Sequence, residues 1–205
     1  QSNQAQLAYQ YYQNGQYDKA IALYKELNKK TISPSYYAPY LSCLINIEDY
    51  KEAEKLASKI LKKYPKSLNY QVDLGFLQKK NGKQEKAKKT YHSAIENISK
   101  QVGQVISLGN AFILRKEYDL ALETYQKAKA VNPTYPYDLQ VANVYKQMGD
   151  NENMVASYLR LIKNHPNQKQ SVKNSLQIFL NNNGIESTKN YNILKKQLLK
   201  FVQKE

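Results

Sequence analysis

Two histidines, one cysteine and 17 carboxylates are the side chains of this 205-residue chain able to carry acid–base, nucleophilic or metal chemistry. A catalytic site needs a nucleophile, a base and an orienting group to converge. His92 follows Tyr91 inside a helical stretch, and His165 directly precedes Pro166. Neither has a second histidine four residues away, the spacing that puts two imidazoles on one helix face for zinc. Cys43 is flanked by Leu41, Leu44 and Ile45, which predicts a buried thiol. A single cysteine excludes an internal disulfide and any cysteine-rich metal centre. The pairs Glu48-Asp49, Glu52/Glu54 and Asp150/Glu152 fall at turns or on helices beside lysines. Those places suit helix termini and ion pairs, not a carboxylate dyad. The seven glycines are scattered singly, so no phosphate-cradling loop exists. No residue is assigned a catalytic, cofactor-binding or metal-binding role, and the expectation is a protein that is not an enzyme and needs no cofactor.

Charge narrows the partner classes. The net charge is +14, with +4 on residues 67–100, zero on 134–166 and +5 on 167–205. A basic balance suits an acidic protein, nucleic acid or an anionic membrane surface. Only Arg115 and Arg160 among the 31 basic residues are arginine, the side chain best shaped for forked phosphate contacts, which disfavours nucleic acid. The densest run, Lys79-Lys80 with Lys83, Lys86, Lys88 and Lys89, reads as a solvated face; docking on an acidic surface is its second reading. No stretch reaches the eighteen or so apolar residues a membrane-spanning helix needs.

The elements that position these groups are set by an internal repeat. Ala8, Tyr11, Gly15, Tyr17, Ala20, Tyr24 and Leu27 return, shifted by 101, as Gly109, Phe112, Lys116, Tyr118, Ala121, Tyr125 and Ala128. Shifts of 33, 67 and 134 bring Leu41 to Ile60, Gly75 to Ala94 and Ala142 to Leu161 into the same frame. Apolar residues recur at three- and four-residue steps, as amphipathic helices require. Small residues at the first and fifth marks (Ala8/Ala20, Gly109/Ala121) let two helices approach, and aromatics at the second and sixth (Tyr11/Tyr24, Phe112/Tyr125) fill the space beside them. Asn14-Gly15, Asn81-Gly82 and Gly149-Asp150 signal turns between helices, and Pro65, Pro133 and Pro166 close the units. The pattern is weaker where Ala57 and Gln78 replace aromatics.

This small–aromatic–small–aromatic–proline signature resembles the tetratricopeptide repeat over residues 1–166. The resemblance implies an all-α, right-handed α-solenoid of helix-turn-helix units: five recognisable hairpins (1–33, 34–66, 67–100, 101–133, 134–166) and a divergent sixth pair or cap over 167–205. In that sixth pair one helix is expected near Gln168–Asn181, a break at Asn181-Asn182-Asn183-Gly184, and a last helix capped by Ser187 or Thr188. That helix carries Tyr191, Leu194, Leu198, Leu199 and Val202, too apolar for an outer cap, so the array is expected to continue as part of a larger bacterial protein.

The resemblance also implies where a partner sits. First helices line a concave groove, and near their fifth, ninth, twelfth and thirteenth positions this chain offers Val72, Tyr9, Tyr12, Phe76, Lys79, Asn110, Asn143, Lys146 and Gln147. The aromatics would anchor, and each asparagine could grip a peptide group with donor and acceptor together. The paired lysines with which chaperone-binding members hold a chain-end carboxylate are absent: the second position reads Ser2, Ser35, Asn69, Gly103 and Pro136. The expected function is a scaffold or adaptor binding a protein or peptide partner. Its alternatives are a basic module docking on nucleic acid or anionic membrane, and a homo-oligomerising or positioning segment. Export to a bacterial periplasm is the expected location, with the cytoplasm as the alternative.

Overall fold

The computed structural model describes residues 2–29, 32–181 and 185–203. They form twelve α-helices and, among the described residues, no strand. The chain divides into two compact units, residues 1–97 and 98–205. The first holds α1 (Ser2–Gln13), α2 (Tyr17–Leu27), α3 (Pro34–Asn46), α4 (Tyr50–Lys63), α5 (Leu68–Lys80) and α6 (Gln84–Glu96). The second holds α7 (Val102–Leu114), α8 (Tyr118–Val131), α9 (Asp138–Met148), α10 (Asn151–Asn164), α11 (Lys169–Leu180) and α12 (Ile185–Val202). Within each unit, consecutive helices pack as hairpins, α1 on α2, α5 on α6, α7 on α8 and α9 on α10.

The five hairpin turns are built alike. Gly15, Glu48, Gly82, Lys116 and Gly149, all at one repeat position, have φ between 58° and 76°, the left-handed region. In each turn that residue's N–H donates three residues back and the next N–H donates five back, as Gly15 to Tyr12 (3.1 Å) and Gln16 to Tyr11 (2.9 Å) do. Two carbonyls that a helix end leaves orphaned are thereby satisfied. Asp49 and Asp150 then start their helices, each accepting a backbone N–H, from Glu52 at 3.1 Å and from Asn153 at 3.0 Å. Tyr64, Asn132 and His165, each before a proline, have extended φ from −126° to −139° and end α4, α8 and α10.

Side-chain volume is matched inside each hairpin. A Cβ on Gly75 would stand 2.5 Å from Cε1 of Tyr91, and one on Gly109 would collide with the Tyr125 ring. The same repeat positions hold Ala8 with Tyr24, Ala142 with Tyr158 and, inverted, Leu41 with Ala57, every one buried. The apparent weakness at Ala57 is therefore an exchange of bulk between two facing helices. Gln78 is also accommodated: it is 1 % exposed and its Oε1 accepts the Thr90 hydroxyl at 2.8 Å.

The last pair departs from expectation at the start of its second helix. A 3-10 turn, Pro166–Gln168, precedes α11. Because α12 already begins at Ile185, Ser187 and Thr188 lie inside its first turn and cap nothing, a correction to the sequence reading. Asn182, Asn183 and Gly184 lie outside the described residues. α12 packs chiefly on α10, with Asn190 Nδ2 donating to Phe179 O at 2.8 Å on α11.

Candidate partner-binding faces

In the N-terminal unit, Tyr9 and Tyr12 lie one turn apart on α1, their ring centroids 5.9 Å apart. Tyr9 is 48 % exposed, whereas Tyr12 is half-buried. Phe76 and Lys79 lie on α5; Phe76 is half-buried, with the Lys80 ammonium 5.7 Å from its ring, and Lys79 is exposed. Lys80 also stands 5.6 Å from the Tyr50 ring, so one cation faces two aromatic surfaces. Behind α1, the Tyr24 hydroxyl is buried without a hydrogen-bond partner, and burial above all pushes its pKa up to about 12. Val72, expected on this face, is wholly buried and belongs to the core.

In the C-terminal unit, Asn110 lies on α7, and Asn143, Lys146 and Gln147 on α9, which packs against α7. All four are exposed. Neither asparagine side chain makes a hydrogen bond among the described residues, so both donors and acceptors stay open to a ligand. Leu114, also on α7, is 73 % exposed. Lys146 further borders a cavity of about 310 Å³ walled by Met154, Tyr158, Phe179 and Asn190.

Cys43 has no exposed surface, and burial pushes its thiol up to about 11, leaving little thiolate at neutral pH. His92 is half-buried on α6 and His165 ends α10. Among the described residues no group of three histidines, cysteines or carboxylates could hold a metal, and no helix is long and apolar enough to cross a membrane.

Two polar centres escaped the sequence reading. Glu54, on α4, is 9 % exposed and accepts from Lys83 Nζ at 2.8 Å and Asn81 Nδ2 at 2.6 Å, while Asn81 also donates to Tyr50 O at 3.0 Å. Burial raises the Glu54 pKa, but these hydrogen bonds outweigh it and hold the carboxyl below its ordinary value. Asp138, also buried, lies 2.8 Å from Lys129 Nζ and 3.4 Å from Arg160 Nε. That pairing ties one of the two arginines, itself exposed, to a buried carboxylate.

A family model described as Intraflagellar transport protein 56 matches residues 4–201. The chain belongs to that family. It is a tetratricopeptide-repeat protein within it, built of stacked helical hairpins. Among solved structures it is similar to a tetratricopeptide-repeat protein from Parabacteroides merdae, at 17% identity and TM-score 0.45 over 99% of this chain and 77% of that one. TTC0263 from Thermus thermophilus is similar at 18% identity and TM-score 0.44 over 86% and 98%. MamA of strain AMB-1 is similar at 16% identity and TM-score 0.40 over 76% and 93%. No curated protein matches the chain.

Proposed function

We propose that this protein is a non-catalytic interaction scaffold that holds a partner polypeptide on the faces of its first helices. The observation that carries this is the pair Asn110 and Asn143, exposed on two packed helices at one repeat position with no hydrogen bond to satisfy them among the described residues. Side chains so placed can bond the main chain of an extended peptide without first breaking a contact of their own. Tyr9 and Phe76 supply the aromatic anchors of the N-terminal unit, and Lys146 and Gln147 extend the polar face of α9. Membership in a family named for intraflagellar transport makes the proteins of that transport the first candidates for the partner.

Cross-linking followed by mass spectrometry identifies the partner and the helices it touches. Asn110→Ala/Asn143→Ala and Tyr9→Ala/Phe76→Ala should then each weaken its binding while far-ultraviolet circular dichroism stays unchanged. Full affinity in both variants would overturn the assignment of these faces.

A second reading is self-association, and one observation favours it. On α11 and α12, Ile178, Tyr191, Leu199 and Val202 are between 55 % and 69 % exposed. Light scattering that gives one mass from micromolar to millimolar protein would remove it.

A further inference from the structure

The second-helix side of the N-terminal unit carries a different kind of surface. Lys51, Lys55, Lys59 and Lys62 recur at four-, four- and three-residue steps along α4, which places them in one row. At about 1.5 Å rise per residue the row runs roughly 16 Å. With Lys83 they line a cleft of about 600 Å³ whose floor holds Ser58 and Glu54. Lys55 and Lys59 also border a neighbouring cleft of about 340 Å³, to which Lys25 in the last turn of α2 and Lys29 just beyond it contribute.

Charge in these clefts is not balanced. The three carboxylates there are each held by their own lysine: Glu26 by Lys29 at 3.3 Å, Glu52 by Lys55 at 3.2 Å and Glu54 by Lys83 at 2.8 Å. Lys25, Lys51, Lys59 and Lys62 make no ion pair among the described residues. Like charges four residues apart on a helix repel, and on α4 the pairing of Lys55 with Glu52 relieves this only in part. A bound polyanion would relieve it.

We propose that this lysine row is the docking site for an extended, acidic segment of a partner protein. It rests on the scaffold reading but uses another face and names the partner's chemistry. The lysines of the row rise by roughly 6, 6 and 4.5 Å in turn, against about 6.6 Å between alternate residues on one side of an extended strand. A segment with a carboxylate at every second position therefore keeps approximate step with Lys51, Lys55 and Lys59. Nucleic acid fits less well: the 600 Å³ cleft has no aromatic wall on which a base could stack and no arginine for a forked phosphate contact.

Fluorescence anisotropy of the whole chain tests this with a labelled twelve-residue peptide alternating Glu and Ser, in low salt, and with a twelve-nucleotide oligothymidylate. Three proteins are compared: the wild type, Lys51→Gln/Lys59→Gln/Lys62→Gln, and the charge-matched control Lys173→Gln/Lys195→Gln/Lys200→Gln in the other unit. The peptide should bind the wild type saturably, lose at least tenfold in affinity to the first variant and change by less than about twofold with the control. Reversal, Lys51→Glu/Lys59→Glu/Lys62→Glu, should take an alternating Lys–Ser peptide instead, which guards against a loss caused by misfolding. Equal weakening in both glutamine variants would reduce the effect to net charge and overturn the proposal. So would absence of saturable peptide binding, or tighter binding of oligothymidylate through the same lysines. None of these outcomes bears on Asn110 and Asn143, so the scaffold reading fails or survives on its own test.

Discussion

Replacing a helical glycine by alanine ordinarily stabilises a protein by about 0.5–1 kcal/mol, because glycine loses more backbone entropy on folding. α7 contains two glycines for which this expectation splits. A Cβ on Gly103 meets nothing within 4 Å, whereas one on Gly109 would stand 2.9 Å from Cε2 of Tyr125, with Cζ and the hydroxyl oxygen closer still. Tyr125 is 1 % exposed and has no room to swing aside. Overpacking of this kind costs roughly 1–3 kcal/mol. Gly103→Ala should therefore raise the urea midpoint and Gly109→Ala lower it, with a difference of about 1–3 kcal/mol between two identical chemical changes six residues apart. A double-mutant cycle makes the test sharper. Tyr125→Ala alone should cost about 3–5 kcal/mol through the cavity it leaves. Gly109→Leu/Tyr125→Ala rebuilds the arrangement found at Leu41 and Ala57, so the double variant should be more stable than the sum of its singles by at least about 1.5 kcal/mol. Additive costs, or stabilisation by Gly109→Ala equal to that by Gly103→Ala, would refute the matched-volume account of the hairpins.

Other consequences are open to measurement. Glu48 and Lys116 hold the left-handed turn position at φ 58° that glycine fills in the other three hairpins; Glu48→Gly and Lys116→Gly should each stabilise by about 1 kcal/mol in chemical denaturation, and a loss would show that the side chains are needed there. Burial raises the Glu54 pKa, yet Lys83 and Asn81 hold the carboxyl below its ordinary value, so it adds stability that is present above the unfolded-state value near 4 and lost as pH falls through the lower folded value. The advantage of wild type over Lys83→Met, about 0.5–1 kcal/mol at pH 7, should thus shrink below pH 4 in urea titrations; a constant gap would sever the link to Glu54.

Helical hairpins were legible in the sequence because their causes are local. Apolar steps of three and four, Gly15, Gly82 and Gly149 at the turns, and prolines after α4, α8 and α10 act within a few residues of where they stand. Glu48 and Lys116 were in the right register, although their residue types do not announce a left-handed conformation. Ala57 read as a defect because its compensation, Leu41, lies on the facing helix, and no single-helix pattern carries that information. The same holds for Glu54 with Asn81 and Lys83, and for Asp138 with Arg160, partners separated by 22 to 29 residues. The start of α12 was misplaced because Ser187 and Thr188 have the right chemistry for a cap without the position. For the partner-binding faces, sequence supplied the repeat positions, but exposure and the absence of internal partners for the asparagines are properties of the packed helices. Val72 shows the limit: its position suggested a surface, and packing buried it.

The inverted bulk of Leu41 and Ala57 also restricts how such a gene can be shuffled. A crossover inside a turn would join α3 to the helix that follows α1 or α7, setting Leu41 against Tyr24 or Tyr125. Both partners would then be large where one must be small. Whole hairpins can be exchanged or duplicated without that collision, so recombination between repeats survives when its joints fall after Pro65, Pro133 or Pro166 and fails where a joint at Glu48 sets α3 against the second helix of another repeat.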